Sequence, residues 1–140
     1  MPMTKPEECY LPDNFMQARY DVLEAALKKL EIVCDPYSIR KTAHQLWSVL
    51  EKHYAEEEDP WSPVTGIREI AAHRQADLIR LRLEHQDILD QIAKLVQLEP
   101  SSTEMLRSQA LQLIGRVRNH EAREAQAFFD GLYTDLGGLG

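Results

Sequence analysis

The chain has 140 residues, which suits one domain able to bury a core without disulfides. Hydrophobic residues make up 44% and charged residues 28%, an ordinary globular balance that argues against disorder. Sixteen basic against 23 acidic side chains leave a formal charge of −7, which argues against a nucleic-acid partner.

Apolar residues recur at spacings of three and four, the period of helices. The first predicted helix covers about 13–33, with the stripe Met16, Tyr20, Leu23, Leu27 and Leu30. Asp13 or Asn14 can cap its start. The run Cys34-Asp35-Pro36 breaks it, with Asp35 as the next N-cap and Pro36 at the first helical position. The second helix covers about 36–58, with the stripe Ile39, Ala43, Leu46, Leu50, His53 and Glu57. It ends in DPWSPVTG, residues 59–66, where two prolines and a glycine stop any helix.

The third helix covers about 67–98, with room for a kink or false start between Ala71 and Ala76. Its stripe is Leu78, Leu81, His85, Ile88, Ile92 and Leu95, and Pro100 ends it. Ser101 and Glu104 form a capping-box pattern for the fourth helix, about 102–134. That helix carries Leu106, Ala110, Leu113, Val117, His120, Glu124 and Phe128. The closing GGLG is expected to end any helix. Residues 1–12 and 137–140 are thus expected as flexible ends around a bundle at 13–136. Four helices on short connections predict an all-α, antiparallel up-down-up-down four-helix bundle.

Polar residues fall on these apolar stripes. Tyr20, His53, Glu57, His85, His120 and Glu124 all face inward in this reading. Glutamate is rarely buried without a partner, and two of these follow a buried histidine by four residues, on the same helix face. Counting from the turns, all six reach a similar level of the bundle, to within roughly two helical turns. The halves repeat: Tyr20 precedes the motif HYAEE as His85 precedes HEARE. Three imidazoles and two carboxylates converging in an apolar bundle describe a site for iron, manganese or zinc. Glu57 and Glu124 can each bridge two ions, whose charge offsets theirs, with the histidines as terminal ligands. Glu121 is expected to face away from the site. His44, His73, Cys9 and Cys34 are read as having no role. Trp47 and Trp61 are read as packing residues. Arg68, Arg74, Arg80 and Arg82 are read as a surface laced with Glu69, Asp77 and Glu84.

These residues resemble the hemerythrin-like cation-binding family, the HHE domains, over about 13–134. The family's second-helix H-x-x-x-E matches His53 and Glu57, followed by Glu58, Asp59-Pro60 and Trp61. Its third-helix E-H matches Glu84-His85, with aliphatics at Ile88, Ile92 and Leu95. Its fourth-helix H-E-x-x-E matches His120-Glu121 and Glu124, followed by Phe128-Phe129. The resemblance implies a four-helix bundle holding a non-haem di-iron centre, with or without an oxo bridge, or zinc or manganese as substitutes.

The chain also departs from the pattern. Tyr20 stands where the family has a first-helix histidine, and leucines flank His85 where oxygen carriers have a second third-helix histidine. The function implied is binding or sensing of dioxygen, nitric oxide or peroxide, or iron handling. A small di-iron oxidase or peroxidase and a metal-free bundle that binds a partner protein are the alternatives. No membrane segment or secretory leader is visible, so a cytoplasmic monomer or weak homodimer is expected.

Overall fold

The computed structural model describes residues 12–59, 75–97 and 102–138, with side chains over 17–59, 79–97 and 102–127. Among the described residues there are four helices: α1 (Pro12–Ile32), α2 (Pro36–Glu58), α3 (Gln75–Gln97) and α4 (Thr103–Gly138). There is no strand among the described residues. Met16, Leu78, Phe128 and Phe129, as side chains, lie outside the described residues. So do Cys9, Trp61, Arg68, Glu69, His73, Arg74, Ser101 and the expected helix over 67–74.

The helix starts follow local chemistry. Asp35 sits in extended backbone at φ −92° and ψ 152°, and its carboxylate accepts the Ser38 amide at 2.9 Å. Pro36 follows in the first turn, where no donor is needed. At the start of α4 the capping oxygen belongs to Ser102, whose Oγ accepts the Met105 amide at 3.0 Å. The far end of α4 departs from expectation. Gly137 and Gly138 are its last residues, so the glycines close the helix from within. A glycine costs only about 1 kcal/mol relative to alanine in a helix, which weakens a long helix without forbidding its last turn.

Consecutive helices pack on one another, α4 returns to α1, and α2 meets α4 across the middle. The bundle is therefore closed and antiparallel. Leu23, Leu27 and Leu30 of α1 meet Ile39, Ala43, Leu46 and Leu50 of α2 in the core. Ile88, Ile92 and Leu95 of α3 and Leu106, Leu113 and Val117 of α4 complete it. Truncating one such leucine to alanine typically costs 2–5 kcal/mol, by lost transfer energy and the cavity left. Trp47 packs against this core half-buried, as expected. Arg107 of α4 donates to the Glu31 carbonyl in the last turn of α1 and to the Val33 carbonyl just beyond it.

This apolar core occupies the half of the bundle near the α1–α2 and α3–α4 connections. Leu81 and Ala127 form a second, small apolar cluster. The buried polar residues lie between the two.

Candidate metal centre

Helical spacing aims each pair of polar residues. His53 and Glu57 on α2, and His120 and Glu124 on α4, are four residues apart and share a face. His85 comes in from α3. All five are buried, with His120 at 0% and Glu57 at 1% exposure.

Their side chains meet. His53 Nε2 lies 2.9 Å from Glu57 Oε2. His85 Nε2 lies 3.0 Å from Glu124 Oε2 and 3.4 Å from Glu57 Oε1. His120 Nε2 lies 3.4 Å from Glu124 Oε2. The donor atoms fall into two groups able to hold a metal ion, His85–His120–Glu124 and His53–Glu57–Glu121–Glu124. Within each group all donor atoms lie within 4.8 Å of one another. Glu124 belongs to both, and Glu57 turns one oxygen toward His53 and the other toward His85.

Two residues differ from the sequence expectation. Glu121 was expected to face away, yet its Oε1 lies 3.0 Å from His53 Nε2 and its side chain is only 13% exposed. Its Cα direction is roughly 80° from the middle of the His120–Glu124 face, and a glutamate is long enough to reach back. The H-E-x-x-E pattern was the signal that pointed to it.

Tyr20 is the second. It is half exposed, at 51%, and the α1 side chain that reaches the cluster is Arg19. Arg19 donates to Glu57 Oε2 at 3.3 Å, to Glu56 Oε1 at 3.3 Å and to the His53 carbonyl at 2.9 Å. Arg19 and Tyr20 lie on opposite flanks of the Leu23–Leu27–Leu30 stripe, each roughly 50° away, so periodicity cannot choose between them. Buried carboxylates choose the cation.

Further carboxylates orient the imidazoles from outside. Glu84, expected as part of a surface lace, accepts from His120 Nδ1 at 2.8 Å and is clasped by Arg123 at 2.7 and 3.0 Å. Those Arg123 hydrogen bonds outweigh burial and, with His120, hold the Glu84 carboxyl down at about 2. Glu84 is therefore ionised and can only accept, so His120 Nδ1 carries the proton. Glu58 Oε2 lies 3.1 Å from His85 Nδ1 in the same relation. A histidine held this way turns its other nitrogen, Nε2, toward the site. His44 and Cys34 are exposed and take no part.

Three buried polar atoms here make no hydrogen bond: His120 Nε2, Glu121 Oε2 and the Tyr54 hydroxyl. The Tyr54 ring stacks on His85 at a centroid distance of 3.7 Å and 4° between planes. Burial, followed by the charges of Glu121, Glu124 and Glu57, pushes its phenol pKa up. Burial also pushes the Glu57 carboxyl up, and the charge of Glu124 adds to it. Burial lowers the His53 imidazole, but its hydrogen bonds to Glu121 and Glu57 outweigh that and hold it at about 9.

This donor set fits a transition-metal ion. Buried imidazole nitrogens and carboxylate oxygens crowd one level of the bundle, and His120 Nε2, which makes no hydrogen bond, lies 3.4 Å from Glu124 Oε2. A metal ion can offset the carboxylate charge that Arg19 and His53 only partly balance. Mixed nitrogen and oxygen donors suit iron, manganese or zinc.

No family model, curated protein or solved structure matches the chain. The structure by itself is a four-helix bundle with buried His/Glu clusters able to chelate a metal, consistent in general with a hemerythrin-like metal-binding fold.

Proposed function

We propose that this chain binds two transition-metal ions, iron foremost, between His53, Glu57, His85, His120, Glu121 and Glu124. In this reading the histidines and Glu121 are terminal ligands, and Glu57 and Glu124 bridge. The observation that carries it is one carboxylate, Glu124, shared between two buried donor groups, one of which holds His120, whose Nε2 makes no hydrogen bond. Bound iron would supply an open coordination position for dioxygen, nitric oxide or peroxide, and the role would be sensing, binding or iron handling. The protein contributes buried side chains, imidazole orientations fixed through Glu84 and Glu58, and a positive charge from Arg19 beside Glu57. No helix among the described residues is long and apolar enough to cross a membrane.

The test is metal content with visible absorption on protein purified without oxygen. About two metal ions per chain are expected, and fewer in Glu124→Ala and Glu121→Ala. Wild-type protein that takes up no iron, manganese or zinc would sink the proposal. It would favour a metal-free bundle in which protonated His53 pairs with Glu121 and Glu57. Steady-state peroxide consumption by the iron-loaded protein tests the oxidase or peroxidase alternative.

A further inference from the structure

The two donor groups are not equivalent. Setting aside the bridging positions of Glu57 and Glu124, one pocket keeps two imidazoles, His85 and His120. The other keeps one imidazole, His53, and one carboxylate, Glu121. Their surroundings differ in the same sense. Both imidazoles of the first pocket have an outer carboxylate on Nδ1, Glu58 at 3.1 Å and Glu84 at 2.8 Å, which makes them better donors. The second pocket has the Arg19 guanidinium 3.3 Å from Glu57 Oε2, a fixed positive charge that opposes a metal cation there.

From this asymmetry, and resting on the two-metal reading above, we infer that the centre fills in order and accepts a mixed pair of metals. The His85–His120 pocket fills first with an imidazole-preferring ion such as zinc or iron(II). The His53–Glu121 pocket fills second, more weakly, and takes a harder ion such as manganese(II). Imidazole suits zinc and iron, whereas carboxylate suits manganese. Zinc outcompetes manganese for donors of this kind generally, so the first pocket holds zinc whichever ion is added first.

Zinc(II) and manganese(II) serve as probes on the metal-free full-length chain. In a zinc titration against a chromophoric chelator, the first equivalent should bind at least about tenfold more tightly than the second, the scale on which a histidine's outer carboxylate acts. Glu121→Gln should weaken the second step alone, and His120→Asn the first. Arg19→Met should tighten the second step and leave the first unchanged, a gain that a misfolded variant could not mimic. One equivalent of each metal should give the electron paramagnetic resonance spectrum of isolated manganese(II), in either order of addition. Two equal zinc affinities, equal weakening of both steps by Glu121→Gln, or a spectrum of coupled manganese pairs would overturn the inference while leaving two-metal binding intact. Absence of any metal uptake by the wild type overturns both.

Discussion

His120 is held from outside by Glu84: the imidazole Nδ1 lies 2.8 Å from Glu84 Oε1, and the opposite nitrogen, Nε2, makes no hydrogen bond at all. One carboxylate thereby sets both the tautomer and the direction of a fully buried imidazole.

Removing that carboxylate should loosen the site. Glu84→Ala is expected to lower metal affinity by about 10–100-fold. It leaves a buried Nδ1–H without an acceptor, at a cost of about 1–3 kcal/mol in stability. Arg123→Ala should do neither, because Glu84 stays ionised near neutral pH without its guanidinium partner. Chelator competition and thermal melts measure the two effects, and equal losses in both variants would refute the positioning role.

Arg19 and Tyr20 should behave oppositely. Tyr20→Phe is expected to leave metal content and visible absorption unchanged, because its side chain is half exposed. Arg19→Ala removes the cation from a buried carboxylate and should destabilise the metal-free protein by about 3 kcal/mol. The loss should shrink in the loaded protein, where metal charge offsets Glu57. A visible band that vanishes in Tyr20→Phe would restore the tyrosine as a ligand.

The pH dependence follows from two groups whose folded pKa values are raised. Glu57 is raised by burial and by Glu124, so the stability it contributes is present at and below the ordinary carboxylate range and lost as pH rises. His53 is held at about 9, so its contribution is complete below about 6.5 and is lost as pH rises through 9. Metal binding requires both groups without their protons, and so strengthens over the same interval. The melting-temperature gain on metal loading should therefore be larger at pH 8 than at pH 5. Melts of both forms at the two pH values decide it, and a gain no larger at pH 8 counts against it.

Tyr54→Phe tests the unpartnered hydroxyl. That oxygen has no hydrogen bond to lose, and the stack on His85 survives the change. The metal-free variant should be as stable as wild type or up to about 1 kcal/mol more so. A loss of more than that would mean the hydroxyl has a partner, such as a buried water, that stabilises the fold. Denaturant unfolding of the two metal-free proteins gives the difference directly.

Much of this protein was legible in its sequence because helices are local. Three-four periodicity and the breaks at Pro36, Pro60 and Pro100 place the helices to within a few residues where the structure describes them, the far end of α4 excepted, and Asp35 caps α2 as its side-chain chemistry requires. The four-residue spacing alone puts Glu57 with His53 and Glu124 with His120, since both members of each pair share one turn-to-turn face. What the sequence left open was decided between helices. Arg19 and Tyr20 flank their stripe about equally, and only the carboxylates arriving from α2 select the arginine. Glu121 lies off its face and is drawn in by His53 from α2, while Glu84 leaves the surface lace for His120 on α4. Helical periodicity sets the direction of a Cα–Cβ bond, but a long charged side chain can swing across a wide arc beyond it. Where it settles depends on the opposite charge that another helix brings within reach, and that is fixed only once the bundle has packed.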